Sequence, residues 1–189
     1  MRVYQLVADI DHYQGLNIAE GGLHDFAARF DEGKPLRGKV KKPRLVPFLE
    51  ELPKGDFPSL SGNAPVFSPR AVEALHDMLA PNGELFSVDC DNDEYFIYNV
   101  THLVDALDEP NSRVARFHDD GRIFHIYTYS FHAKRLRNET IFKLTQFRSG
   151  TPYVTQPFVE RAESAGLKGF YFRLVWSDDG SRHVPLYAR

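Results

Sequence analysis

Twice this chain runs the end of an apolar strand straight into a helix that opens on proline: VFSPRAVEAL at 66–75 and VTQPFVERA at 154–162. In the first, Ser68 is a good N-cap, and Pro69 takes the first helical position, where its missing N–H costs nothing. Val72, Leu75, His76 and Leu79 recur on one face, so His76 reads as a partly buried, hydrogen-bonded histidine. Pro81 and Gly83 stop the helix. In the second, Thr155 is the cap, Pro157 stands at the helix start and Gly166 is the C-cap. The shared residues are those that any strand-to-helix junction prefers, so coincidence is favoured over internal duplication.

Strand signals surround these helices. Arg2–Asp9 is an opening strand, and Glu84–Asp89 and Glu94–Val100 are two more, joined by an acidic turn at Asp91-Asn92. Arg122–Phe131 (RIFHIYTYSF), IFKL at 141–144 and RHVPLYAR at 182–189 complete the set, and short helices are expected at Leu23–Phe30 and Thr101–Leu107. The 15 Phe and 9 Tyr favour pleated surfaces. Together these point to an α+β fold, a largely antiparallel sheet with a few helices packed on one side. Five prolines between Pro35 and Pro58 make that stretch extended. Two parts are expected: 1–58, an opening strand with a proline-rich segment that could form a small subdomain, and 59–189, the main α+β domain. In GLKGFYFRLVW (166–176), Phe170, Phe172, Leu174 and Trp176 share an apolar face, which reads as a core-lining strand rather than a stacking platform.

At 189 residues the chain can bury a core without a staple, and its single cysteine, Cys90, allows no internal disulfide. Asp9 interrupts the N-terminus before an apolar run of signal length, and no later segment approaches a membrane span, so a cytoplasmic protein without an anchor is expected. The net charge of −3 is unevenly spread. Residues 1–60 balance, 61–120 carry −9 and 121–189 carry +6.

Asp89-Cys-Asp-Asn-Asp93 resembles the start of a calcium loop, but Glu94 stands where that loop needs glycine and Val100 where it needs a bidentate acid. A solvated hairpin turn is the better reading. His118, His125 and His132 are spaced by seven, yet strand alternation turns His125 away from the other two. No nucleophile elbow, phosphate loop, zinc-protease helix or dinucleotide fingerprint is present, and acidic neighbours would raise the Cys90 thiol pKa. The sequence therefore implies no catalytic residue, metal or cofactor.

Two charged surfaces remain. KPLRGKVKKPR (34–44) offers Lys39, Lys41, Lys42 and Arg44 to phosphates, but it has no aromatic residue to stack a base, and a solvated basic loop is favoured. The acidic middle third offers Asp89, Asp91, Asp93 and Glu94 in one turn, Asp105, Asp108 and Glu109 next, and Asp119 and Asp120 in a later loop. If these gather, with exposed aromatics such as Tyr95 and Tyr98, they form a patch that steers a basic protein partner. An enzyme built around His125 and Tyr127 is a third class.

PVFSPRAVEAL, EYFIYNVTHLVDALDEPNSRV, IFKL and YVTQPFVERAESAGLKGFYFRLVW, taken in order, resemble immunity protein family 11 of bacterial polymorphic toxin systems, formerly a domain of unknown function. The resemblance covers roughly residues 60–176. It implies a small α+β protein, encoded beside a toxin, that binds the toxin's C-terminal domain, in some cases a nuclease, and protects the producing cell by direct inhibition. It carries over no catalytic residues and leaves the oligomeric state open.

Overall fold

The computed structural model describes residues 1–19, 30, 32–36, 43–60, 64–91 and 93–180. Among these the chain is mostly β, with two α-helices and three sheets. Sheet one takes β1 (Arg2–Ala8), β8 (Leu103–Val104), β11 (Ile141–Leu144), β12 (Tyr153–Thr155) and β13 (Phe170–Ser177) in the order β13-β1-β12-β11-β8. Sheet two takes β2 (Gly15–Ile18), β3 (Leu45–Phe48), β4 (Ser59–Leu60), β5 (Val66–Phe67), β6 (Gly83–Cys90) and β7 (Asp93–Val100) in the order β4-β2-β3-β6-β7-β5. The hairpin of β9 (Arg113–Arg116) and β10 (Ile123–Thr128) stands as a sheet of its own.

Both helices form where the proline grammar places them. In α1 (Pro69–Leu79) the Ser68 Oγ accepts the Ala71 N–H at 3.1 Å. In α2 (Gln156–Ser164), Gly166 closes the C-terminus in the left-handed region at φ 64°. There the Leu167 N–H bonds back to the Ala162 carbonyl at 3.0 Å, as expected of a glycine C-cap. Each helix buries one stripe, Ala71, Leu75 and Leu79 from α1 and Phe158, Val159 and Ala162 from α2, into a core shared with Leu6, Phe67, Tyr98, Ile141 and Val154.

Alternation then assigns the other face of sheet one. Phe142 and Tyr153, directly opposite one another, turn away from the helices into a second core with Val3, Leu144, Ile123 and Ile126. A third core, with Leu16, Leu45, Val66, Val88, Tyr95 and Ile97, lies on the remaining face of sheet two. The Tyr98 hydroxyl is wholly buried and donates to the Leu79 carbonyl at 2.8 Å, and burial pushes its pKa up. In the unfolded chain a tyrosine loses its proton near pH 10, so unfolding there releases a proton that the native state retains. Stability from Tyr98 is complete below that pH and falls by about 1.4 kcal/mol per pH unit above it. Urea midpoints measured at pH 9 and 11 should show this loss, and a Tyr98→Phe variant should show less of it.

Several expectations are revised. The α+β class holds in its coarser form, but the described strands form three sheets rather than one, and β11 with β8, β2 with β4 and β3 with β6 pair in parallel beside antiparallel neighbours. The helix expected at Thr101–Leu107 is extended chain containing β8, because its backbone finds partners across the fold. The Lys143 N–H bonds to the His102 carbonyl and the Thr145 N–H to Val104, at 2.9 and 3.1 Å. His76 is exposed, since α1 turns Ala71 rather than Val72 fully into the core. The four apolar residues of GLKGFYFRLVW do not share a face. Trp176 pairs with Val3 and Leu174 with Tyr4, so Val175 is an extra residue in a bulge. Phe170 and Phe172 therefore pack on the helix-side core and Trp176 on the opposite one. The strand at 182–189 and all of the helix at Leu23–Phe30 except Phe30 lie outside the described residues.

Candidate functional site

The acidic turn caps the longest hairpin of the fold. Cys90 pairs with Asp93 and Asp89 with Glu94, and Asp91 takes the left-handed φ of 52° that a tight reversal requires. Asp89 and Glu94 are like charges directly opposite one another, an arrangement that costs stability and that a cationic partner would relieve. Glu94 accepts from the Ser87 Oγ at 2.9 Å, and Asp93 pairs with the Lys54 ammonium at 2.6 Å.

Beside this turn lies an open cleft of about 480 Å³ whose lining includes Lys54, Asp56, Arg70, Glu94, Tyr95 and Lys168. Asp56 is its organising group. One carboxylate oxygen accepts the Ser68 hydroxyl at 2.8 Å, and the other accepts the Arg70 guanidinium at 3.0 Å and the Lys168 N–H at 2.8 Å. The hydrogen bond and charge of Asp93 push the Lys54 pKa up, opposite to what a nucleophilic amine needs. Burial, then Asp93, pushes the Tyr95 hydroxyl up. Burial, then Asp91 and Asp93, does the same to the Cys90 thiol. The cleft is thus a recess that combines the Lys54–Asp93 and Arg70–Asp56 ion pairs with apolar surface.

The acidic residues do not form one patch. Strand β7 runs eight residues, so Asp93 and Thr101 stand roughly 25 Å apart. The later acids follow that far end along the chain and have partners of their own. Asp105 pairs with Arg135 at 2.6 Å, and Asp108 accepts from Asn111 at 2.8 Å. Glu109 pairs with Arg116, which also donates to the Gly121 carbonyl at 2.8 Å, so Glu109 sits against the turn holding Asp119 and Asp120. Asp120 is itself paired with Arg122. Two acidic loci result, and most of the second is locally neutralised. Tyr95 and Tyr98 are not the exposed aromatics expected, because alternation along β7 sends them into opposite cores, leaving 6% and 0% exposed. Of the basic segment, Lys39, Lys41 and Lys42 lie outside the described residues, Arg44 is exposed and Lys34 pairs with Glu32 at 2.6 Å. No group of three or more His, Cys, Asp or Glu among the described residues is placed to hold a metal.

Exposed aromatics are found instead on the β9–β10 hairpin. Phe117, Phe124 and Tyr127 are about half exposed, at 47%, 46% and 53%. The rings of Phe117 and Phe124 lie 5.0 Å apart, and the Arg113 guanidinium sits 4.6 Å from the Tyr127 ring centre. His125 meets Tyr127 edge-on at 4.5 Å, on an open surface rather than in a catalytic recess.

Residues 87–176, which include the acidic hairpin turn and all of β9–β10, match the model of an immunity protein family, Imm11. This bears out the resemblance read from the sequence over that stretch. No curated protein matches the chain. No helix among the described residues is long and apolar enough to cross a membrane.

Proposed function

From the immunity-family match across residues 87–176, we propose that this chain binds the C-terminal domain of a toxin encoded beside it and neutralises it by direct protein–protein contact in the cytoplasm of the producing cell. The match is the observation that carries this reading. A nuclease is the toxin class that suits the charge, since its substrate groove is basic and the middle third of this chain carries −9. Asp89, Asp91, Asp93 and Glu94 steer the approach of that groove, and the unfavourable facing of Asp89 and Glu94 is relieved when a cation docks between them. Asp108, Glu109, Asp119 and Asp120 contribute less, because Arg116 and Arg122 already satisfy much of that locus.

Co-expression with the adjacent toxin domain tests the function, and continued killing in the presence of soluble full-length chain would sink it. The steering role has its own readout. Reversing Asp91, Asp93 and Glu94 to lysine should slow association about tenfold or more at low salt. Stopped-flow mixing of the purified pair at two ionic strengths measures this. Association as fast as that of the unaltered chain would place the interface elsewhere.

A further inference from the structure

We infer that the exposed side of the β9–β10 hairpin, centred on Phe124 and Tyr127, is the anchoring surface for a protein partner; the inference rests on the toxin-binding reading and names where that partner is held. Ile123 pairs with Arg116 but His125 with Ala115, and Ile126 pairs with Val114 but Thr128 with Arg113. Phe124 and Tyr127 are therefore the extra residues of two β-bulges within one six-residue strand. Plain alternation would have placed Ile123 and Ile126 on opposite faces. The bulge at Phe124 instead turns both isoleucines into the second core, at 4% exposure each, and both extra aromatics stay outside. Burying the isoleucines needs nothing large at the extra positions. Bulges re-aim side chains, and here each one presents a ring to solvent.

The surroundings complete an anchor. Phe117 joins Phe124, so three of the seven exposed large hydrophobic residues among those described fall within eleven positions. Arg113 lies over the Tyr127 ring and meets no carboxylate among the described residues, which leaves its donors for one on the occupant. Aromatic rings and an arginine held in fixed positions are the residue types that dominate binding energy at protein interfaces. A protein fits better than a nucleic acid. Residues 108–128 hold four carboxylates against three arginines, and Arg116 and Arg122 are paired with Glu109 and Asp120, so no surplus positive charge gathers phosphates. The occupant is a toxin-domain surface with an apolar recess and a carboxylate at its rim.

The probe is the C-terminal domain of the adjacent toxin, carrying an inactivating substitution, titrated with the full-length chain and its Phe124→Ala and Tyr127→Ala variants. Each variant should weaken Kd about tenfold or more through faster dissociation, with association changed less than about twofold. Amide hydrogen exchange on the unaltered chain gives a second reading that needs no variant: residues 113–128 should gain protection in the complex. Binding by the unaltered chain with neither effect would overturn this surface and leave the toxin reading standing. No binding by the unaltered chain would overturn both. Self-association of the chain that the two variants abolish would give the face to a second copy, and retention of single-stranded RNA that they abolish would give it to a nucleic acid. Either would overturn the inference.

Discussion

A chain lacking residues 1–58 is expected not to fold. Strand β1 lies inside sheet one, paired with β12 on one side and along its whole length with β13 on the other. Its removal leaves two strands with unsatisfied inner edges, and each unpaired buried backbone group costs about as much as a lost hydrogen bond. The side chains matter as much. Val3, Leu6, Leu16, Leu45 and Phe57 are 0–4% exposed and are spread over all three cores. At about 1.5–3 kcal/mol for each buried side chain, their loss equals the whole net stability of about 5–15 kcal/mol typical of a domain. Circular dichroism and a urea titration of residues 59–189 would test this. A cooperative transition in that fragment would instead mark 1–58 as a separable unit.

Much of the fold was legible because it rests on local chemistry. Ser68-Pro69 and Gln156-Pro157 start helices and Gly166 stops one whatever surrounds them, and the hairpin around Asp91 follows from polar turn residues between apolar runs. Pairing across the sequence was not legible. The parallel ladder between β8 and β11 joins residues about forty positions apart, and nothing in THLVDAL distinguishes that partner from a helix of its own. The assignment of sides failed wherever a bulge intervened. Alternation is a reliable guide only while every residue has a partner, and Val175, Phe124 and Tyr127 do not.

The same limit governed the candidate site. Charge is visible in a sequence and its neutralisation is not, so Glu109 and Asp120 looked like part of one acidic patch until Arg116 and Arg122 were placed beside them. Tyr95 and Tyr98 read as exposed aromatics of the acidic middle third. Their strand buries both its faces. The exposed rings came from RIFHIYTYSF, which reads as an ordinary β-branched and aromatic strand. One signal was present: its isoleucines stand three apart, at 123 and 126, a spacing that strict alternation cannot bury on one face.

Replacing Asp56 by alanine should lower the unfolding free energy by about 3 kcal/mol, the loss of charge-assisted hydrogen bonds to groups left with little water. Asp56 is 8% exposed and ties three segments together. Its backbone exchanges hydrogen bonds with Lys168 and Ser68, and its carboxylate holds the Ser68 hydroxyl that caps α1, together with the Lys168 N–H that follows the Gly166 turn. The share due to Arg70 is small, because that side chain is 56% exposed and its charge is screened. Most of the loss therefore falls on Ser68 and Lys168. An Arg70→Ala variant should cost no more than about 1 kcal/mol. Urea titrations of the two variants, compared with the unaltered chain, separate these contributions. Equal losses would mean that the ion pair, rather than the buried hydrogen bonds, holds the proline-rich segment and the cleft floor against the immunity-family region.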